Sequence, residues 1–225
     1  MNNATPRAVD DVARLIEAAQ RQMAGQSAPH RYLDLLDAGR VPKERLGALA
    51  GELFRLVSAD RRSFALAATR FPDPTGADLF LALAQGESEA LRLLLDFAAE
   101  LGLGEQQLRA YEPLALAQAY PAFLAQTAAF GTRSDLALAL LANVAGSGAA
   151  YARAADALQS RHGFADAAVA HFRYFADTPQ QLLDEAAATL AAGLAGGDDP
   201  AQAVRTARMV HAYEATFWNA LAETV

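Results

Sequence analysis

The segment "VHAYEATFWNAL" near the end of the sequence places a carboxylate among aromatic side chains. Glu214 lies between Tyr213 and Phe217, and Trp218, the only tryptophan, follows one helical turn later. If this helical face points inward, desolvation raises the pKa of the carboxyl towards neutrality, where a general acid or base works best. The alternative is a peripheral glutamate that pairs with an arginine such as Arg208.

A second pair of charged residues, Glu52 and Arg55, is separated by three positions, so both side chains face the same side of a helix. Their neighbours Leu53, Phe54 and Leu56 are apolar. One interpretation is a surface ion pair, which contributes well under ~1 kcal/mol. The other is a pocket in which Arg55 binds a carboxylate or phosphate of a ligand. The sequence leaves both interpretations open.

A serine hydroxyl, Ser147, lies in the small-residue stretch "GSGAAY". A serine nucleophile needs an adjacent base, and no His or Lys is near it in the sequence. We therefore favour a close approach between two helices at this stretch over nucleophilic catalysis, with a base supplied by the fold as the alternative. The chain has no cysteine, which excludes thiolate nucleophiles, thiolate metal sites and disulfides.

Metal-binding patterns are sparse. A di-iron site in a helical bundle uses about six His and carboxylate ligands at fixed helical spacings. The pattern E-x-x-H does not occur, and H-x-x-E occurs once, at His211 and Glu214. The other histidines are His30, His162 and His171. The sequence predicts neither a metal site nor a bound cofactor.

Composition bounds the elements that must position these side chains. Hydrophobic residues make up 53% of the 225 residues, Ala and Leu dominate, and no convincing alternating β-pattern occurs, so an all-α fold is expected. The net charge is −7 without a basic arm, which argues against nucleic acid as a partner. We see no signal peptide and no uninterrupted apolar run of the ~18 residues that span a bilayer. We expect a soluble, cytoplasmic protein that binds no membrane.

Helical periodicity, interrupted by Gly, Pro and Asp, divides the chain into short and long helices. A turn is predicted at "AGQSAP", and Asp199 is predicted to cap a helix that begins at Pro200. No long linker or internal repeat is visible, so residues 1–225 are interpreted as a single helical domain. The predicted helices are residues 9–23, 30–36, 43–70, 77–101, 105–111, 115–130, 134–161, 165–175, 179–194 and 200–224.

Six fragments follow one another in an order that resembles a known family. They are "HRYLDLLDAGRVPKERLGAL", "LAGELFRL", "AYPAFLAQTAAFG", "LALLANVAGSGAAYARAADAL", "FRYFADT" and "YEATFW". In this order they resemble the TenA (thiaminase-2) family, and the closing fragment matches that family's "Y-E-x-x-F-W" well. The resemblance implies a haem-oxygenase-like helical bundle that binds a small molecule and assembles as a homodimer or homotetramer.

The resemblance also implies roles for individual residues. Glu214 falls on the glutamate that acts as acid and base in this family. Tyr120 falls on a tyrosine that lines the pyrimidine pocket, and Tyr151 on a second tyrosine. The nucleophilic cysteine of the family falls on Ser147, so thiaminase chemistry by the usual route is not expected.

Other positions depart from the family pattern. The pocket aspartate falls on Glu52, its neighbouring tyrosine on Arg55, and a further tyrosine on Phe172. Phe217 is expected to help exclude water beside Glu214. These departures predict altered chemistry, namely cysteine-independent acid–base catalysis on a small amine- or carboxylate-bearing metabolite. The alternatives are a non-catalytic member that binds a small molecule or a partner, and a metal-dependent oxidase of the same fold.

Overall fold

The computed structural model describes residues 6–24 and 30–225, and in that part of the chain every regular element is helical. The predicted turn at residues 24–29 lies, apart from Ala24, outside the described residues. A short 3-10 turn, Lys43–Arg45, precedes the first long helix. The α-helices are α1 (Pro6–Ala24), α2 (Arg31–Asp37), α3 (Leu46–Arg70), α4 (Pro74–Glu100), α5 (Glu105–Ala110), α6 (Ala119–Phe130), α7 (Arg133–His162), α8 (Asp166–Ala176), α9 (Gln180–Ala195) and α10 (Pro200–Ala222).

The all-α prediction is confirmed, and most helix ends lie within a few residues of those predicted. Helix α4 begins three residues earlier than expected, because the Asp73 side chain accepts a hydrogen bond from the Gly76 backbone N–H and a proline occupies the first turn. Asp199 caps α10 as predicted, by accepting from the Ala201 backbone N–H. Helix α6 begins at Ala119 instead of 115, because residues 111–118 form an irregular segment of coil and turn.

Two groups of buried side chains form the core, and Tyr120 packs against both. The first, the Trp218 cluster, includes Tyr32, Leu53, Phe97, Phe172, Phe217 and Trp218. The second, the Leu138 cluster, includes Phe80, Leu124, Leu136, Leu138, Leu190 and Val210. Helices α3, α4, α7 and α10 contribute to both clusters. The central turns of these helices therefore lie where the Trp218 cluster meets the Leu138 cluster.

Helix α7 runs through the middle of the bundle and packs against α8, α9 and α10. Within the described part of the chain it is the one helix that is long and apolar enough to cross a membrane by length and composition, with a mean hydropathy of 1.2. Of that apolar window 61% is buried in the protein. Such burial is typical of a core helix.

The small residues of α7 allow a close approach, as the sequence predicted. A side-chain carbon added at Gly148 would lie 3.0 Å from the Ala176 carbonyl oxygen at the end of α8. Contacts this short do not accommodate a Cβ without movement of the backbone. Glycine at position 148 therefore lets α8 and the segment after it lie against α7, beside Ser147.

Candidate functional site

A cavity of about 630 Å³ lies where the two core clusters meet. Helices α3, α4, α6, α7 and α10 form its walls, and the end of α8, the segment after it and α9 complete the lining. This volume is in the range of pockets that hold a small metabolite. Much of the wall is apolar, including Phe64, Leu83, Leu124, Leu136, Leu140 and Val210.

Glu214 is one of the polar groups in that wall. The residue as a whole is partly buried, but its Oε1 atom is inaccessible to solvent and has no hydrogen-bond partner. Desolvation raises the pKa of the Glu214 carboxyl to about 7, and a hydrogen bond with the Ser147 hydroxyl acts in the opposite direction. The carboxyl is therefore divided between its protonated and ionised forms near neutral pH.

The two tyrosines implied by the family resemblance lie close to Glu214. Tyr120 lines the cavity, whereas Tyr151 lies behind the wall, with its ring 4.9 Å from Phe175 and edge-on to Trp218 at 5.7 Å. Burial, and secondarily nearby carboxylates including Glu214, raise the pKa of both phenols well above the usual value. Both hydroxyls therefore stay protonated and can donate hydrogen bonds.

Two further buried carboxylates line the cavity, and the sequence analysis missed both. Asp60 on α3 is 3% exposed and Glu87 on α4 is 8% exposed. Asp60 Oδ1 and Glu87 Oε2 have no hydrogen-bond partner. Burial raises the pKa of Asp60 against a hydrogen bond from Tyr120, and burial together with the charge of Asp60 raises the pKa of Glu87. The two acids thus form a coupled pair.

The sequence does contain a signal for this pair. Each acid interrupts an apolar stripe at helical spacing, where a charged residue is rarely placed without a partner or a function. Period counting along α3 and α4, independent of any family pattern, would have selected both positions. The stripes are Leu53, Val57, Asp60, Phe64 and Ala67 on α3, and Leu79, Leu83, Glu87, Ala90 and Leu94 on α4.

Asn143 on α7 is a third missed polar residue of the wall. Its Nδ2 donates to the carbonyl oxygens of Ala139 at 2.8 Å and Ala207 at 3.1 Å. These two carbonyls fix the orientation of the amide, since its oxygen would be repelled by them. Asn143 Oδ1 is left buried without a partner. It is therefore an acceptor in the same cavity as the three acids.

Glu52, on which the pocket aspartate of the family was placed, does not line this cavity. The side chain is fully buried and accepts hydrogen bonds from Tyr111 Oη at 3.0 Å, the Leu114 backbone N–H at 2.6 Å and Gln118 Nε2 at 2.5 Å. The Tyr111 ring lies so close to Gly51 that an added Cβ would clash with it. The contacts of Glu52 therefore hold the irregular segment before α6, and the cavity carboxylate of α3 is Asp60.

Arg55 also lies away from the cavity, and neither interpretation of the Glu52–Arg55 pair describes it. The guanidinium donates to the carbonyl oxygens of Arg109 at 3.2 Å and Tyr111 at 2.6 Å. These hydrogen bonds connect the end of α5 and Tyr111, the residue after it, to α3. Arg55 does not line this cavity, and its Nη2 atom is engaged by two backbone carbonyls.

Phe172 and Phe217 belong to the Trp218 cluster and do not line the cavity. Phe172 is fully buried edge-on to Phe97 at 5.2 Å, and Phe217 packs edge-on against Trp218 at 5.3 Å. Both residues therefore support the wall from behind. Tyr174 and Phe175, which follow Phe172 on α8, are the aromatic residues of that helix in the cavity lining.

Metal-ligating side chains do not gather in the described part of the chain. Across residues 6–24 and 30–225, no group of three or more His, Cys, Asp or Glu side chains has the spacing to hold a metal ion. Within that range, Asp60, Glu87 and Glu214 therefore do not form a three-ligand metal site.

Solved structures with the same fold share little sequence with this chain. A TenA homologue from Pseudomonas syringae pv. tomato str. DC3000 has a TM-score of 0.68, with 13% identity over 95% of this chain and 92% of the other. A TenA family transcription regulator from Silicibacter sp. TM1040 has a TM-score of 0.64 and 20% identity over 96% of both chains.

A third structure is a domain of unknown function with a haem-oxygenase-like fold from Shewanella denitrificans OS217. Its TM-score is 0.65, with 14% identity over 95% of this chain and 88% of the other. At these identities the likeness establishes the fold, which is haem-oxygenase-like as the fragments predicted. No curated protein matches the sequence.

The family itself follows from the sequence. A family model described as the TENA/THI-4/PQQC family matches residues 17–223, nearly the whole chain. This agrees with the ordered fragments, from "HRYLDLLDAGR" to "YEATFW", and with the helical bundle that they form. The chain belongs to the TENA/THI-4/PQQC family.

Proposed function

We propose that this protein binds a small amine-bearing metabolite in the cavity and that Glu214 acts on it as a general acid and base. The observation that carries the proposal is the position of Glu214, whose carboxyl faces the cavity with one oxygen unpaired and a pKa raised by burial to about 7. A group with this pKa can take a proton from a substrate nitrogen and return it at neutral pH. The reaction class is a hydrolysis or elimination that needs no cysteine.

The hydrogen bond between Ser147 and Glu214 assigns a role to the serine in this proposal. In this proposal the base beside Ser147 is the carboxyl of Glu214, and a serine hydroxyl beside a carboxyl is a weak nucleophile. Ser147 lines the cavity and orients the carboxyl of Glu214. We treat it as a positioning residue.

The charges around the cavity favour an amine over a carboxylate as the ligand group. Among the lining residues, Arg173 is the only one with a basic side chain. Arg173 is exposed, and it donates to Asp156 at 2.6 Å and Gln159 at 2.7 Å. Arg55, the expected partner for a carboxylate, is engaged elsewhere. A ligand carboxylate would therefore meet three buried acids without a cation beside it.

The second candidate is a non-catalytic binding protein, which the serine in place of the family cysteine favours. The two candidates are separated by turnover. The native protein is analysed by mass spectrometry for retained amines, and these, together with thiamin and simple aminopyrimidines, are incubated with the enzyme and followed by chromatography and mass spectrometry. Conversion supports the enzyme, and binding without conversion supports the second candidate.

The decisive variant is Glu214→Gln, which keeps the size of the side chain and removes its proton transfer. Turnover is expected to fall by a factor on the order of 10² or more, while binding changes much less. Glu223→Gln, at the exposed end of the same helix and paired with Arg31, is the matched control and is expected to keep full activity. Full turnover by Glu214→Gln would refute the assigned role of Glu214.

A further inference from the structure

The buried polar atoms of the cavity that lack a partner are all oxygens. Within the described residues, four buried side-chain atoms without a partner belong to residues that line it, and all four are oxygens that accept hydrogen bonds. Three belong to carboxyl groups and one to an amide whose orientation two carbonyls fix. They are Asp60 Oδ1, Glu87 Oε2, Asn143 Oδ1 and Glu214 Oε1. Buried acceptors without donors destabilise the protein, so a ligand that completes this cavity must supply donors.

These acceptors lie on two different walls. Asp60 and Glu87 line the cavity from α3 and α4, which pack against each other, and the charge of Asp60 acts on Glu87. Glu214 on α10 forms the other wall with α7, since it is hydrogen-bonded to Ser147. Asn143 precedes Ser147 by one helical turn and donates to Ala207 of α10, so it belongs to this second wall.

The more deeply buried donors of the wall are already engaged within the protein. The Tyr120 hydroxyl is hydrogen-bonded to Asp60, the Ser147 hydroxyl to Glu214, and Asn143 Nδ2 to two backbone carbonyls. A saturated chain between two ammonium groups has no acceptors to satisfy, and its methylene groups suit the apolar wall of residues such as Phe64, Leu83 and Leu140.

We infer that the ligand is an aliphatic diamine or polyamine, with one ammonium group between Asp60 and Glu87 and the reacting nitrogen at Glu214 and Asn143. This inference rests on the proposed function, whose single amine it extends to two. An ammonium group has three donors and a full charge, so it satisfies the unpaired oxygens of the acid pair and holds both carboxyls ionised. Asp60 and Glu87 therefore act as the specificity determinant that distinguishes a diamine from a monoamine.

The test is isothermal titration calorimetry with 1,3- to 1,6-diaminoalkanes and with the n-alkylamine of matching length as probes. At least one diamine is expected to bind about tenfold or more tightly than its monoamine, because the second ammonium gains charged hydrogen bonds at the acid pair. The preferred chain length then measures the separation of the two positions.

Two isosteric variants locate the effect. Asp60→Asn and Glu87→Gln are each expected to remove the preference, so that the diamine and the monoamine of matching length bind with similar affinity. Glu89→Gln is the matched control, since Glu89 is two residues after Glu87, is paired with Arg92 and lies outside the cavity lining. It is expected to retain the diamine preference. Circular dichroism verifies the fold of each variant, and either cavity variant alone suffices for the comparison.

The outcomes separate this inference from the proposed function. If monoamines bind and diamines bind no more tightly, the inference is overturned and the proposed function stands. The same holds if Asp60→Asn and Glu87→Gln both keep the diamine preference, or if Glu89→Gln loses it equally. If neither class of amine binds to the wild-type protein, both proposals fail.

Discussion

Two buried carboxylates of helix α3, eight residues apart, have opposite surroundings. Glu52 is 0% exposed and receives three hydrogen bonds from Tyr111, Leu114 and Gln118. Asp60 is 3% exposed, is hydrogen-bonded to Tyr120 and has Oδ1 unpaired in the wall of a cavity. Burial is the same in both, so burial alone does not identify a functional acid. The presence or absence of partners within the protein distinguishes them.

The physical reason lies in what replaces water around each group. Three protein donors solvate the carboxylate of Glu52, so its charge serves to fix the segment before α6. Around Asp60, Glu87 and Glu214 the protein supplies fewer donors than the oxygens accept, and burial raises the pKa of all three carboxyls. The first arrangement stabilises the fold, and the second keeps acids available to a ligand.

The largest expected effect is at the structural acid. Glu52→Ala leaves three donors in the interior without an acceptor and is expected to lower the free energy of unfolding by about 3–5 kcal/mol. Urea denaturation followed by circular dichroism measures this loss. Glu52→Gln, which keeps one acceptor, should lose less. A loss below about 1 kcal/mol for Glu52→Ala would break the comparison, since Glu52 would then contribute no more than an exposed acid.

The opposite sign is expected at Glu214. Because its folded pKa is about 7 against an ordinary 4.5, the unfolded chain releases this proton first as the pH rises, and stability falls between pH 4.5 and 7. Glu214→Gln removes this dependence. It should equal the wild type near pH 4 and exceed it at pH 8 by up to about 3.5 kcal/mol, from roughly 1.4 kcal/mol per unit of pKa.

Urea unfolding at the two pH values gives this difference directly. Asp60 and Glu87 contribute equally to both proteins, so they cancel in the comparison. Equal stability of Glu214→Gln and the wild type at pH 8 would mean that the carboxyl of Glu214 is well solvated. It would then resemble a surface acid.

A smaller effect of the same sign is expected at the acid pair. Asp60→Asn or Glu87→Gln removes one member of a buried, mutually repelling pair and keeps the shape of the side chain. Each is expected to leave stability at pH 8 unchanged or to raise it by on the order of 1 kcal/mol. A loss comparable to that of Glu52→Ala, measured in the same denaturation experiment, would show that these acids support the fold.

The smallest expected effect concerns the family nucleophile. Ser147→Cys restores a thiol at the position where the family has its cysteine, but the α3 carboxylate of the cavity is Asp60 in place of Glu52, and Glu87 lies beside it. We expect little release of hydroxymethylpyrimidine from thiamin by the wild type and little gain in this variant, as followed by chromatography. Efficient release by Ser147→Cys would show that the cavity is otherwise that of a thiaminase.

The features of this protein that depend on neighbouring residues in the sequence were predicted, and those that depend on distant residues were not. Helix positions were predicted within a few residues, because Ala- and Leu-rich stripes, prolines and caps such as Asp199 act over one or two turns. Glu214 was predicted from its aromatic neighbours and the family fragment. Asp60 and Glu87 were missed because the family pattern directed attention to Glu52, and Asn143 was missed because no pattern marks it.

By itself the sequence determined the helical class, the family and the candidate acid at Glu214, since these depend on residue type and on spacing along one helix. Only the tertiary structure decided which acids share a cavity and which are satisfied. Glu52 and Asp60 are both acids on a largely buried helix, and their difference comes from residues 111–118, which pack beside one and not the other. Hydrogen-bond partners 59 to 66 positions away are chosen by the packing of the helices, and no local pattern encodes that choice.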